Sequence, residues 1–385
     1  MVSEEALRKQ AVELYHDGKK VAAIARELGR SRQWVHKWIN RSNESDSWSH
    51  SLSNTPHNKP HKTSSAIVER VVSTRKELVA SPYMESGAYA IWHRLLDEYG
   101  SAPSVATINR ILKQQGLTKQ KKRYQKSGID YPKSPVNMHI MDLIGPRHLR
   151  GGQRFYLLTI ISNDSRHAGV YPILSKSATD ITQSVVSFWK SYSLPDFLQM
   201  DNELSFKGSN RYPRGLGLLL RTILSLNVTP IFIPVSEPWR DGVIERFNMK
   251  IEDTLLRQEH ADFEDLKRHS IEFMKVHNRS HHYSTLGHKT PLELDAELNL
   301  PILPLSEDYQ VNGRPILNSW NRNEIQFRRL VRSDLIINVL NTDIKIDEKL
   351  MHTYVEACLL INEHRLLIKQ DGKTVQEVEF IMPLV

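Results

Sequence analysis

Residues 194–206 read LPDFLQMDNELSF, and the fold turns on how that stretch ends. Phe197 to Met200 form a short apolar run of the kind that makes a brief buried strand, and it stops abruptly on Asp201-Asn202. An Asp-Asn pair after a strand commonly opens a turn, because both side chains can hydrogen-bond the backbone that follows. A chemical role needs other acids converging on the same spot.

The flanking sequence supplies them. Upstream, NMHIMDLIG (137–145), RFYLLTIIS (154–162) and HAGVYPI (167–173) read as three consecutive strands with turn-prone residues between them, and TDITQSVVSFWKSY (179–192) has a helical period. Asp142 falls inside the first strand between Met141 and Leu143, where an unpartnered carboxylate is costly to bury. Downstream, NVTPIFIP (227–234) is another strand, and the loop VSEPWRDG leads into VIERFNMKIEDTLLRQ (243–258), a helix with Glu245 in its first turn. Three strands, a helix, a fourth strand and a closing helix make a mixed α/β sheet. Asp142, Asp201 and Glu245 then stand on two strands and a helix start. A few carboxylates suffice for magnesium when substrate phosphate completes the shell, and two such ions can clamp an in-line displacement at phosphorus.

Composition narrows the classes. The 385 residues allow two to four domains, and the single cysteine, Cys358, excludes an intramolecular disulfide framework and any multi-cysteine zinc module. No apolar run approaches the roughly 20 residues needed to cross a bilayer, and the polar start MVSEEALRKQ is unlike a secretory signal, so a cytoplasmic protein is expected, nucleoid-associated if its partner is DNA. The net charge of +8 is uneven: residues 1–135 hold 23 Lys+Arg against 13 Asp+Glu, and the remainder 29 against 31. A basic first third suits a polyanionic partner.

That first third is helical. Leu7, Ala11, Leu14 and Tyr15 share one face; Val21, Ile24, Ala25 and Leu28 follow; Gly29 breaks the run and Ser31 caps a third helix carrying Trp34, Val35, Trp38 and Ile39. This is a helix-turn-helix pattern over 1–41. With the apolar face inward, Arg32, Gln33, His36, Lys37 and Asn40 point outward as candidate base readers. Residues 42–64 read as a linker. A second helix-turn-helix-like module spans 65–118, with Ser104 as a cap, Ile108, Ile111 and Leu112 inward, and Arg110 and Lys113 on the outer face. A basic linker (119–135) follows, in which Lys121, Lys122 and Arg123 suit phosphates.

At this point the chain resembles a known family, the integrase-core DDE transposases of bacterial insertion sequences, related to retroviral integrases. The residues that carry the resemblance are MDLIGP (141–146), FYLLTIISNDSRHAGVYPI (155–173), MDNELSF (200–206), PWRDGVIERFN (238–248) and VHNRSHHYSTLGHKTPLE (276–293). It implies a ribonuclease H-like core over 136–300 and catalytic, metal-holding roles for Asp142, Asp201 and Glu245. Mg²⁺ is the implied cofactor, with Mn²⁺ able to substitute. Partners would be double-stranded DNA, both the element's terminal inverted repeats and the target, and further copies of the chain, at least a dimer. The implied reaction hydrolyses phosphodiester bonds to expose 3′-OH ends and joins those ends to target DNA. The alternative is a non-catalytic, sequence-specific DNA-binding protein on a retained fold.

The chain departs from the family pattern in four places. Glu203 follows Asp201-Asn202 where the family usually has Gly, and Ser162 stands where Asp is common. Between Asp201 and Glu245 lie 43 residues, longer than the family pattern, with KGSNRYPRGLG (207–217) the expected surface insertion. Position 252 is Glu where the family favours Lys or Arg, leaving Arg246, Lys250 and Arg257 as cations for DNA on or just past that helix.

In the C-terminal third, residues 262–277 read as an amphipathic helix followed by a histidine-rich stretch with His277, His281, His282 and His288, for which a zinc site is the minor reading. After a linker (301–321), residues 322–385 alternate as short strands and predict a small antiparallel β-barrel that either contacts DNA or another subunit, with Arg328, Arg329 and Arg332 as the candidates, or serves as a structural cap. The expected architecture is therefore multidomain: all-α helix-turn-helix modules, a central α/β ribonuclease H-like domain and the C-terminal barrel.

Overall fold

The computed structural model describes residues 3–44, 47–51, 63–118, 130–208, 214–234, 237, 242–298, 303–311 and 324–383. The chain divides into two compact units, Met1–Ser64 and Ser65–Val385. Among the described residues no helix is long and apolar enough to cross a membrane.

The first unit holds α1 (Glu4–His16), α2 (Val21–Glu27) and α3 (Arg32–Ser42). The hydroxyls of Ser3 and Ser31 accept from the backbone N–H groups of Ala6 and Trp34, which caps α1 and, as expected for Ser31, α3. Ala11, Ile24, Ala25, Val35 and Ile39 form the core, and Gly29 turns the chain between α2 and α3 with φ of +63°. Tyr15 does not join that core: it is exposed, and Val12 is buried on α1 instead.

The second unit begins with α4 (Ser65–Ala80), α5 (Ala88–Tyr99) and α6 (Val105–Gln114), packed around Val71, Leu78, Ile91, Leu95, Ile108, Ile111 and Leu112. Its sheet contains β1 (Met138–His148), β2 (Arg154–Ser162), β3 (Ala168–Ile173), β4 (Phe197–Met200) and β5 (Thr229–Phe232). The helices between and after them are α7 (Ala178–Ser191), the short α8 (Leu204–Lys207), α9 (Leu218–Ser225), α10 (Gly242–Asp253), α11 (Phe263–Ser280) and α12 (Pro291–Glu297). β1, β2 and β3 run antiparallel, while β4 lies parallel to β1 and β5 parallel to β4, so α7 and α9 act as the crossovers that parallel pairing requires.

The pleat of β1 sorts its side chains. Met141 joins a core with Trp189, Leu198 and Met200, whereas Ile140 and Ile144 join the opposite face with Ile244, Phe247 and Phe273 of α10 and α11. Asp142 lies between Ile140 and Ile144 in that alternation and so projects toward α10. β2 is buried at every position after Arg154, in keeping with a continuous apolar run covered on both faces.

One expectation is corrected here. The C-terminal strands β6 (Glu324–Leu330), β9 (Tyr354–Leu360), β10 (Arg365–Gln370) and β11 (Lys373–Glu379) do form, with a separate ribbon of β7 (Ile336–Val339) and β8 (Thr342–Lys345). They do not close into a barrel of their own. β6 pairs in parallel with β5 through Ile231↔Gln326 and Phe232↔Phe327, giving among the described residues a nine-stranded sheet of order β11-β10-β9-β6-β5-β4-β1-β2-β3. The pairing is favourable because it satisfies the edge of β5 and lets Ile325, Phe327, Val355 and Leu366 share one core with Trp189 and Met200. Of the expected insertion at 207–217, residues 209–213 lie outside the described residues; at its ends Leu216 is buried, and Gly208 and Gly217 meet so closely that a Cβ on Gly208 would lie 2.8 Å from the Gly217 nitrogen.

The helical module 65–118 is likewise part of the second unit. The turn between α4 and α5 carries Tyr83, 4% exposed, whose ring packs edge-on to Phe273 of α11 and whose hydroxyl lies 2.6 Å from His269 Nδ1.

Candidate active site

β1 and β4 run in parallel with Met138 opposite Phe197, His139 opposite Leu198 and Ile140 opposite Gln199. The same offset carries Asp142 to the level of Asp201, on adjacent strands that in a sheet lie about 4.8 Å apart. Both carboxylates project to the face covered by α10, since Leu198 and Met200 fill the other face. On α10, Ile244, Phe247 and Ile251 anchor the helix against that face, which leaves Glu245 and Asn248 together on the adjoining turn. Asn248 Nδ2 donates to Asp142 Oδ2 at 2.7 Å, and the Leu143 N–H donates to Oδ1, also at 2.7 Å. Asp201 accepts from the Glu203 N–H at 3.0 Å, an Asx-type turn.

All three acids hold protons more readily than ordinary carboxylates. Burial raises Asp201 to about 6, with Asp142 and Glu203 adding repulsion; burial also raises Asp142, with Glu203 adding to it, and raises Glu245, with Asp142 adding to it. Mutual repulsion among half-buried acids is the electrostatic signature of a site that gains from a cation. Hard oxygen donors of this number and spread fit a divalent ion such as magnesium and give no preference to a soft metal.

The Asp201-Asn202 corner is braced from behind. Asn202 Nδ2 donates to the Ile233 carbonyl at 2.7 Å, and its Oδ1 accepts from Arg329 Nη2 at 2.8 Å. Arg329 also donates to the carbonyls of Ile233, Arg328 and Asn338. Arg328 is 1% exposed and donates to Gln199 Oε1 and the Lys133 carbonyl. These two arginines, expected as DNA contacts, are therefore interior brackets; Arg332 is exposed. Lys176 Nζ holds Glu203 Oε1 at 2.7 Å, which offsets part of the extra acid brought by Glu203.

Comparison with known families now bears on this geometry. Residues 226–291 match the family model described as "Integrase core domain", a span that runs from before β5 through Glu245 and Asn248 to the start of α12. This segment is similar to an integrase core domain. Residues 3–47 match a "Homeodomain-like domain", in agreement with α1 to α3. No curated protein matches the chain. Among solved structures, the integrase core resembles the HTLV-2 integrase catalytic core domain in complex with magnesium (13% identity, TM-score 0.33, covering 42% of this chain and 96% of that one). It also resembles the BIV integrase catalytic core domain (17%, 0.33, 42% and 95%). A third likeness is to the simian T-cell lymphotropic virus intasome in complex with the PP2A regulatory subunit B56 gamma (12%, 0.38, 75% and 92%).

The residues expected to contact DNA fall into distinct groups. Arg32, Gln33, His36, Lys37 and Asn40 are exposed on one side of α3, as are Arg110 and Lys113 on α6. Arg246 is exposed one residue past Glu245. Lys121, Lys122 and Arg123 lie outside the described residues. Lys250 is a correction: it points inward, 3.3 Å from His277 Nδ1 and 3.9 Å from Glu85, and burial lowers its pKa to about 8. Glu252 turns outward to an ion pair with Arg147.

The histidine-rich segment is structural at its start. Asn278 accepts from the Ala168 N–H and donates to the Ala168 carbonyl, both at 3.0 Å, so its amide mimics a neighbouring strand against β3. His277 stacks on His281, His282 stacks on His93 of α5, and His288 stacks on Tyr89. Among the described residues these four histidines are not gathered as metal ligands.

Asn248 and Glu203 had no assigned role on sequence grounds, and Arg329 was read as a candidate contact to a partner rather than as an interior bracket. Only Asn248 gave a usable signal, its position three residues after Glu245 on the same helical face.

Proposed function

We propose that the chain is a DNA transposase that binds the terminal repeats of its mobile element, hydrolyses phosphodiester bonds to expose 3′-OH ends and joins those ends to target DNA. The reading rests above all on the convergence of Asp142, Asp201 and Glu245, whose proton affinities are raised by burial and, for Asp201 and Glu245, by Asp142 itself. Asp142, Asp201 and Glu245 would together hold the two divalent cations of such a reaction. A bound pair of Mg²⁺ ions, or Mn²⁺ in their place, supplies Lewis-acid activation of the attacking oxygen and stabilisation of the departing one. The chain's own contribution is placement. Asn248 and the Leu143 N–H fix the rotamer of Asp142, Asp201 is oriented by the Glu203 N–H, and Arg329 holds the Asn202 corner that follows it.

The exposed face of α3 is the proposed reader of the terminal repeat, with Arg110 and Lys113 of α6 and Arg246 beside the acids following the phosphate backbone. Lys121, Lys122 and Arg123 remain proposed phosphate contacts. Two DNA ends handled together call for at least a dimer.

The test incubates purified protein with a plasmid carrying the element and its flanks, in Mg²⁺, in Mn²⁺ and in EDTA, beside Glu245→Gln. Nicks at defined ends followed by joined products, lost in EDTA and in the variant, support the proposal. Tight metal-independent binding with no strand breakage in any arm would overturn it in favour of a non-catalytic DNA-binding protein.

A further inference from the structure

A second group of side chains, apart from the three acids, has the arrangement of a metal site. His260, Asp265 and His269 each offer one ligand atom, and the three atoms lie within 4.8 Å of one another. Asp265 and His269 are four residues apart on α11, which puts both side chains on one face of the helix, and His260 approaches from the turn before it. We propose that these residues bind a transition-metal ion of the zinc class, coordinated by two imidazoles and one carboxylate.

The hydrogen bonds around the rings favour this. His260 Nε2 donates to the Leu255 carbonyl at 3.0 Å, which leaves Nδ1 as the lone-pair nitrogen. His260 is only 6% exposed, and its Nδ1 is buried with no hydrogen-bond partner, a cost that native structures seldom carry without a reason. His269 Nδ1 lies 3.1 Å from Gln258 Oε1 and 2.6 Å from the Tyr83 hydroxyl, which itself donates to Gln258 Oε1 at 3.2 Å. With its Nδ1–H so engaged, His269 turns the lone pair of Nε2 toward Asp265, whose Oδ1 is 3.5 Å away. Ring nitrogens whose other N–H is held by a carbonyl or amide oxygen are the usual metal-ligating arrangement. Ligands each about 2.0–2.1 Å from one zinc ion stand roughly 3.4 Å from each other, close to that separation. Asp265 Oδ2 accepts from the Ala261 N–H at 3.0 Å, and Oδ1 also meets Arg268, which would yield that oxygen to the ion.

An ion here would tie the turn after α10 to the first turn of α11. Through His269 and Gln258 it would also tighten the grip on Tyr83, the residue by which the α4–α5 turn is held to the core. The fourth position would fall to water, since three protein ligands are present among the described residues.

The experiment titrates the purified full-length chain with Co²⁺, followed by visible absorption, and then with Zn²⁺ in competition. The same titrations are run on Asp142→Asn/Asp201→Asn/Glu245→Gln, on His269→Gln and on His260→Gln, with circular dichroism to verify folding. One equivalent of Co²⁺ giving intense four-coordinate bands in the wild type and the triple variant, displaced by Zn²⁺ and weakened at least 100-fold in a folded His269→Gln or His260→Gln chain, is expected. Absence of those bands in the wild type, or equal bands in either folded histidine variant, overturns the proposal. Because the triple variant lacks all three acids, the outcome is independent of the transposase reading.

Discussion

Asn248 on α10 donates to Asp142 on β1 across 2.7 Å, so the helix that carries Glu245 is locked directly to the strand that carries the first acid. Removing that amide frees the carboxylate to rotate without removing any of the three acids. Asn248→Ala is therefore expected to lower strand cleavage and joining by about 10–100-fold, the usual effect of losing a partner that orients a metal-holding group, while binding to end DNA is unchanged. Equal cleavage rates for variant and wild type in saturating Mg²⁺ would remove Asn248 from that role.

Arg329 bears on Asp201 from the opposite side. Truncation leaves the Asn202 amide oxygen short of its Arg329 donor, and the buried Ile233 carbonyl with Asn202 Nδ2 alone. Arg329→Met is expected to destabilise the second unit by about 2–4 kcal/mol, measured by urea unfolding, with no change in the salt dependence of DNA binding. A DNA-contact role would give the reverse pattern.

Proton competition at Asp201 sets a pH window. Its carboxyl is raised to about 6 from an ordinary value of 3.8, so between those two values the folded chain holds a proton that the unfolded chain has released. Stability of the metal-free protein should thus decrease as pH rises through that window, and the slope should flatten in Asp201→Asn. Divalent-ion affinity should run the other way, weakening as pH falls below about 6. Isothermal titration at several pH values, beside thermal melts in EDTA, measures both slopes.

On α3, Arg32 and Lys37 are exposed, and each should contribute to end binding through the DNA backbone or bases. Substituting either by Ala is expected to weaken binding and to reduce the slope of log K against log salt by about 1 where the lost contact is to phosphate. Lys250→Ala should leave that slope unchanged, because Lys250 faces Glu85 and His277 in the interior. Fluorescence anisotropy across a salt series separates the two cases.

Trp189 is fully buried at the centre of the larger core, and its indole N–H reaches His139 Nδ1 at 3.2 Å. Trp189→Ala is expected to cost about 3–5 kcal/mol of stability, read from chemical denaturation.

Much of this arrangement was legible in the residues. The strand and helix runs around Asp142, Asp201 and Glu245 have unambiguous periods, and the outward face of α3 follows from its apolar stripe. Partner choice among strands was not legible, because alternation specifies which face a strand buries and says nothing of which edge it joins; β6 therefore read as the start of a separate barrel. Charged residues misled where burial inverted their usual place. Arg328, Arg329 and Lys250 looked like solvent-facing cations, and only the surrounding carbonyls and acids reveal why they are inside. Tyr83, in a short turn with no periodic pattern, gave no hint that it docks on α11.

The parallel pairing of β5 with β6 changes what a trimmed chain would be. A fragment ending near residue 311 would keep all three acids yet leave β5 as a bare strand edge, and uncover Phe232, whose ring stacks on Phe327 at 5.1 Å between centroids. The C-terminal segment is in this sense a permanent seal on the sheet that carries the acids, and swapping it between relatives would mean re-cutting a shared interior rather than exchanging a tail.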